Sequence, residues 1–369
     1  MFLFVDFQQN KLSSLIINNL KRKGNKMNAK LPSRYSSFLT INRSCNLRCE
    51  WCYANPERFI GNKNMSLETV EKSINLFKGL PIKSVILIGG EPTIHPDFLT
   101  ITKMIKEANL SPALITNGIK FKDAHFLQKT LDAGVNSISM SLKGGSTEEY
   151  KRSTGRWAFN DVMRGLKNIV ESGVNNNLSV VISDDLCANF DMTMDAILNS
   201  GVKHFSIDTE RPAILNNEAI YSGNFSFKQM ATFIVEIYPK LEACGLDFTI
   251  NISIPFCLFP DGFIEILKKK NRMTSGCPIY TGSAIVIDPS GKLLPCNHFC
   301  DNALGELGVD FSTANDYLKF RGREDIKEFY NVLSSYPDEK CKHCNYWQEC
   351  GAGCRLNWLY KDSKELILT

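Results

Sequence analysis

The 369-residue sequence lacks any run of 18 apolar residues, so no transmembrane helix is expected. It also lacks an excess of one charge: 43 Lys and Arg against 39 Asp and Glu leave a net charge of +4. That balance gives no general attraction to nucleic acid. A secretion signal is missing too. The opening "MFLFVDFQQNKLSSLIINNLKRKGNK" breaks its apolar run at Asp6 and places its lysines after the apolar residues, the reverse of a signal peptide. There are no internal repeats, no low-complexity tracts and no dinucleotide-binding fingerprint. These absences indicate a cytoplasmic chain with no membrane and no nucleic-acid partner. Its length suggests about two domains, at ~150 residues each.

Cysteine is what the sequence holds in quantity, with thirteen residues. In a secreted chain they would read as disulfides. In a reducing compartment, clustered thiols more often bind metal or do chemistry.

From residue 35, strand-like and helix-like patterns alternate. "SSFLTIN" precedes a triple-cysteine loop, and "MSLETVEKSINLFKGL" has helical spacing with Ser66 placed to cap. Strands "SVILIGG", "ALITNG", "SISMSL", "LSVVIS" and "KHFSID" follow, separated by amphipathic helices, and the pattern "FKQMATFIVEIYPKLEACG" closes a sixth unit. Such alternation predicts a parallel, helix-covered α/β sheet. With six units, a partial (β/α)6 TIM-like barrel fits best, and its chemistry belongs at the C-terminal strand ends. Beyond about residue 255 the helical spacing fades and cysteines gather. The expected division is an extension over 1–34 with no assigned role, a barrel over 35–250 and a cysteine-rich domain over 251–369. Within the last, "SAIVIDPSGKLLPC" reads as a hairpin and "STANDYLKFRGREDIKEFYNVL" as a loop then a helix.

The loop "RSCNLRCEWCYANP" spaces Cys45, Cys49 and Cys52 as C-x3-C-x2-C. Three thiolates cannot close a four-ligand zinc site. On a cubane cluster they leave one iron open, able to bind a small molecule and pass it an electron. The alternative is a zinc loop that borrows a fourth ligand elsewhere.

The stretch "CNLRCEWCY" resembles the cluster loop of the radical S-adenosylmethionine (radical SAM) superfamily. The resemblance implies that Cys45, Cys49 and Cys52 hold a catalytic 4Fe-4S cluster and that S-adenosylmethionine chelates its open iron. Reductive cleavage would release a 5′-deoxyadenosyl radical, with Tyr53 near the adenine. "GGEPTIHP" is similar to the superfamily's GGEP element. Gly89 and Gly90 would let the backbone approach a ligand, Glu91 would accept from the methionine amine, and Pro92 completes the turn. "SMSLKGG" resembles the end of the fourth strand, making Ser141 a candidate cofactor contact, although Lys143 replaces the usual Asp. Asn117 in "ITNG" is a further candidate. Arg152 and Arg156 in "YKRSTGR" could pair with a carboxylate. The alternative readings are strand-end caps for Ser141 and Asn117, and surface charge for the arginines.

The second half resembles the SPASM/twitch extension that carries auxiliary 4Fe-4S clusters. Cys277, thirteen residues, Gly291, four residues and Cys296 are followed by C-x2-C-x5-C-x3-C at Cys341, Cys344, Cys350 and Cys354. By that resemblance Cys277, Cys296 and Cys354 hold a first auxiliary cluster, and Cys341, Cys344 and Cys350 a second. The family's closing cysteine is not found after Cys354. Cys257 and Cys300 are the spare thiols of this half. The last four motif cysteines alone would also suit a zinc knuckle.

The family resemblance implies an oxidoreductase acting on a peptide or protein side chain, fed by a donor such as flavodoxin or ferredoxin. Within it, maturation of a ribosomally made peptide (a RiPP) through a thioether or C–C crosslink is the favoured reading. Formylglycine formation ranks below it, because Asn297 follows Cys296 where sulfatase maturases carry Asp, and an amide is no general base. A radical SAM enzyme acting on a small molecule, and a zinc-stabilised binding module, are the alternatives. Asp208, Glu210 and His204 are candidate proton acceptors at the sixth strand end, while His95 and His298 flank the motifs.

Overall fold

In a computed structural model of the chain, the alternating pattern folds into one sheet of eleven strands beside a separate two-stranded hairpin. The structure describes residues 35–49, 52–54, 64–215, 218–220, 226–279, 282–300 and 302–360. The extension over 1–34 therefore lies outside the described residues.

Strands β1 (Ser36–Asn42), β2 (Ser84–Gly89), β3 (Ser111–Thr116), β4 (Ser137–Leu142), β5 (Asn175–Val181) and β6 (His204–Asp208) lie side by side in chain order, all parallel. Helices α1 (Leu67–Lys78), α2 (Phe98–Glu107), α3 (Ala124–Asp132), α4 (Thr147–Thr154), α5 (Phe159–Glu171), α6 (Asp184–Ala188) and α7 (Phe190–Leu198) make the crossovers. Parallel strands need such crossovers, which cover the sheet and bury it. Ser66 caps α1 as expected, its hydroxyl accepting from the Thr69 N–H at 3.1 Å. Leu39, Ile41, Val85, Leu87, Ile138, Phe205 and Ile207 form the strand side of the core and are fully buried. Each such side chain contributes ~1.5–3 kcal/mol relative to exposure.

The sheet crosses residue 250 without a break. After the hairpin β7 (Ala213–Leu215) and β8 (Glu218–Ile220) and helix α8 (Phe227–Ala243), strand β9 (Asp247–Asn251) pairs parallel with β6. Helix α9 (Phe263–Lys269) leads to β10 (Met273–Thr274), parallel to β9. The cysteine-rich half also extends the opposite edge: β11 (Ala284–Ile287) runs parallel to β1, and β12 (Lys292–Leu294) and β13 (Gly305–Glu306) follow antiparallel. The two edges do not meet, so the barrel is partial. The expected hairpin is β11–β12. Its turn is held by Asp288, whose Oδ1 accepts from Ser290 N and Lys292 N at 2.9 Å each.

The segment read as a loop and one helix is two helices, α10 (Ala314–Arg321) and α11 (Glu324–Leu333). The break falls at Gly322, whose N–H returns to Leu318 O and Lys319 O at 3.1 and 2.9 Å. Short helices α12 (Trp347–Cys350) and α13 (Asn357–Tyr360) complete the described chain. Among the described residues, no helix is long and apolar enough to cross a membrane.

Candidate cofactor and cluster sites

The C-terminal ends of β2 to β6 open onto a cavity of about 260 Å³. Cys45, Cys49, Cys52 and Tyr53 line one wall; Gly89–Glu91, Asn117, Ser141, Lys143, Asp208–Arg211 and His298 line the rest. This is the face where (β/α) barrels place their chemistry.

The GGEP turn and the cysteine loop are built as one piece. Gly90 N–H bonds Asn42 O at 3.1 Å, Glu91 N–H bonds Ser44 O at 2.8 Å, and Asn42 Nδ2 donates to Glu91 O at 2.8 Å. A Cβ on Gly89 would lie 2.4 Å from Asn42 O, and one on Gly90 2.3 Å from Ser44 O. The two glycines are thus required by the backbone of the cysteine loop itself, a closer demand than ligand approach alone.

Glu91 is fully buried. Its Oε1 accepts from Thr93 N, Thr93 Oγ1 and Thr116 Oγ1 at 3.1, 2.6 and 2.8 Å, and its Oε2 accepts from Asn117 N at 2.7 Å. Burial raises its pKa, and these donors oppose the rise. The carboxylate thereby brackets the ends of β2 and β3. Asn117 continues the bracket: its Nδ2 donates to Asn46 Oδ1 at 2.7 Å and lies 4.0 Å from Cys45 Sγ.

Leu47 N–H points at Cys45 Sγ, 3.3 Å away. Burial pushes the Cys45 thiol up to about 12, with Glu91, Cys52 and Cys49 adding to the rise. Cys49 is pushed to about 11 by burial, and Lys143 opposes that. The loop therefore presents thiols that a bound metal centre would deprotonate. Tyr53, half-buried, packs against His298 with ring centroids 4.5 Å apart, and desolvation raises the pKa of its phenol. His298 Nδ1 faces Pro212 O at 3.2 Å, so the ring carries its proton there. Burial lowers His298 to about 3, with Arg211 adding to the effect. The imidazole is neutral at ordinary pH.

Asp208 ends β6 inside the cavity, held by Ser179 Oγ and by Asn251 Nδ2, the latter at 2.7 Å. Glu210 is buried and lines the same cavity. His204 sits at the other end of β6, its ring between Asn177 Oδ1 and Thr249 Oγ1 at 2.9 Å each. It begins the strand rather than ending it. His95 is a structural residue, bonded to Met65 O at 3.1 Å and accepting from Asp97 N at 3.0 Å. Arg152 stands apart from the cavity, exposed and paired with Asp185 at 3.3 Å, and Arg156 is also exposed. Lys143 and Arg211 are the lining cations that sequence reasoning did not assign. Their only signal was adjacency to a strand end.

Two further thiol groups lie in the second half. Cys296 is half-buried, and burial raises its pKa, with Cys277, Cys354 and Cys300 adding to the rise. Cys354 is raised to about 12, first by burial and then by Cys277. Cys300 turns its thiol to Asn297 O at 3.0 Å and Tyr53 O at 3.4 Å, between this group and the triple-cysteine loop. Asn297 itself accepts from Thr40 Oγ1 at 3.3 Å. The other group comprises Cys257, Cys341, Cys344 and Cys350, which share a second cavity. All thirteen cysteines are free of disulfides. Among the described residues, no group of three or more His, Cys, Asp or Glu side chains is arranged to hold a single metal ion. All-sulfur donor sets of this kind fit iron–sulfur clusters, which are held by cysteine thiolates.

Residues 39–187 match the family model described as the Radical SAM superfamily. A probable GTP 3′,8-cyclase of Saccharolobus islandicus is 27% identical over 295 residues, 79% of this chain and 89% of that protein. A probable GTP 3′,8-cyclase of Thermococcus kodakarensis is 33% identical over 146 residues, 39% of this chain, and the match spans 47% of that relative. Among solved structures, Streptococcus suis SuiB bound to precursor peptide SuiA superposes with a TM-score of 0.63 at 15% identity, covering 99% of this chain and 82% of that one. Native anSMEcpe with bound AdoMet and Cp18Cys peptide gives a TM-score of 0.66 at 19% identity, covering 89% of this chain and 91% of that one. Both structural likenesses are likenesses of fold.

Proposed function

We propose that this radical SAM enzyme, whose family domain spans residues 39–187, modifies a ribosomally made peptide by an oxidative thioether or C–C crosslink. The observation that supports the reading best is the cysteine-rich tail. It supplies two separate thiol groups, and its Cys296–Cys300 segment packs against Tyr53 at the cavity mouth. The fold that carries this tail is shared along nearly the whole chain with SuiB, which was solved with a precursor peptide.

The radical SAM family works with a 4Fe-4S cluster and S-adenosylmethionine, which together supply a 5′-deoxyadenosyl radical when bound. Cys45, Cys49 and Cys52 would hold that cluster. Glu91 and Asn117 fix the strand ends beneath it. Gly89–Pro92 and Ser141 would contact the cofactor, and Tyr53 would shield its base. Neutral His298 keeps the mouth free of an extra positive charge. Asp208 and Glu210 line the same cavity and would take a proton from a substrate. Cys277, Cys296 and Cys354 would hold one auxiliary cluster, and Cys341, Cys344 and Cys350 another. The electron donor is a reduced flavodoxin or ferredoxin in this reading.

The names of the Saccharolobus and Thermococcus relatives favour a second reading, a small-molecule substrate such as a nucleoside triphosphate. The cavity argues against it. Among its described lining residues, Lys143 and Arg211 face Glu91, Asp208 and Glu210. A triphosphate wants an excess of cation there. Reduced, cluster-loaded enzyme is incubated with S-adenosylmethionine and, in parallel, with GTP or with short peptides encoded beside its gene. The peptide reading expects a peptide that loses two hydrogens by mass spectrometry. Consumption of GTP with every peptide unchanged would overturn it.

A further inference from the structure

In the auxiliary-cluster reading Cys341, Cys344 and Cys350 supply three sulfurs to the second site, where a cubane takes four. We infer that Cys257, from the loop after β9, closes this site as its fourth sulfur. The inference rests on the auxiliary-cluster reading and deepens it.

Cys257 shares a cavity of about 270 Å³ with Cys341, Cys344 and Cys350. The residue beside Cys257 already addresses the site. Phe256 N–H donates to Cys350 Sγ at 3.3 Å, the kind of bond that stabilises a ligating thiolate. The loop is fastened there by contacts independent of any thiol. Cys354 N–H bonds Ser253 O at 2.7 Å, the rings of Phe256 and Tyr346 meet edge-on at 6.0 Å, and Lys268 pairs with Glu349 at 2.7 Å. Cys257 is therefore held at the rim by the barrel side of the molecule while its three partners come from the tail. A cubane capped by four cysteines has no open iron. Its role is to carry electrons, not to bind the peptide.

Because Cys257 is exposed, ligation is readable as protection. The full-length protein is reconstituted anaerobically and treated with an alkylating agent before and after chelation, with labelling read at each cysteine by peptide mass spectrometry. Cys257 is expected to be protected together with Cys341, Cys344 and Cys350 in the iron-loaded protein and labelled after chelation. Cys187 and Cys244 label alike in both. Cys257→Ala is expected to lose about four irons to a chelator that leaves wild type and Cys187→Ala loaded. Labelling of Cys257 in the loaded protein, while its three partners stay protected, would overturn the inference and leave the auxiliary cluster standing. Equal iron retention in Cys257→Ala would overturn it too. Labelling of all four, or one zinc in place of iron, would sink the cluster reading itself.

Discussion

Gly353 joins the tail to the barrel, and replacing it with alanine isolates that junction. Its φ is +77°, and a Cβ there would lie 2.3 Å from Ser253 O. Alanine in the left-handed region costs ~1–2 kcal/mol. The clash falls on the carbonyl that accepts from Cys354 N–H at 2.7 Å. Losing that bond adds ~0.5–1.5 kcal/mol. The stiffer unfolded chain returns ~0.4–1 kcal/mol. The net expectation is therefore a destabilisation of about 1–3 kcal/mol. Gly173 is the internal control: its φ is +72°, with nothing within 4 Å of a Cβ. Gly173→Ala carries the strain without the clash and is expected to cost about 1 kcal/mol or less. Anaerobic urea unfolding of the chelated full chain measures both. Gly353→Ala should also lose iron from the tail sites on reconstitution, whereas Gly173→Ala should not. If the two variants unfold at the same urea concentration and load equal iron, the docking of tail on barrel described here is wrong.

Gly90→Ala drives a methyl group into Ser44 O; it is expected to lose the catalytic loop's share of iron, about four atoms, with an unchanged far-UV circular dichroism spectrum. Arg152→Ala is expected to cost under about 1 kcal/mol, because its ion pair is exposed, and to leave S-adenosylmethionine affinity unchanged in equilibrium dialysis. Burial lowers the pKa of His95, so the unfolded chain takes up a proton that the folded one refuses. Stability should fall as pH drops below ~6.5 and this loss should level off below the folded pKa; His95→Gln should flatten the slope of unfolding free energy between pH 7 and 5.

The triple-cysteine loop and GGEP were legible because their cysteines and turn residues lie close together in sequence. The six-strand alternation was legible because short segments rich in apolar residues, such as "SVILIG" and "SISMSL", alternate with helical spacing and are bounded by glycine or polar residues. Other features depend on distant pairing. Cys257 meets its partners through a loop whose Phe256 reaches Cys350, 94 residues away. No local pattern marks that contact. Strand β9, "DFTIN", is short and half polar, and only its register against β6 makes it part of the barrel. Helices α4 and α6 escaped notice for the same reason: they are short and polar, and are recognisable mainly by their serine caps, Ser146 and Ser183. The GGEP glycines line the cavity as their motif suggested, but sequence does not show the Asn42–Ser44 backbone pressed against them, which also demands glycine. Arg152 looked like a ligand because charge is visible in sequence and direction is not.

In the function proposed, Cys45, Cys49 and Cys52 would hold a cluster that cleaves S-adenosylmethionine at the mouth of the barrel. The most direct test is 5′-deoxyadenosine formed by anaerobically reconstituted, reduced protein, measured by liquid chromatography and mass spectrometry. The account predicts steady formation by the wild type and only background from a Cys45/Cys49/Cys52→Ala variant that keeps its tail iron. Fully iron-loaded wild type that forms none, or a variant that forms as much, would contradict it.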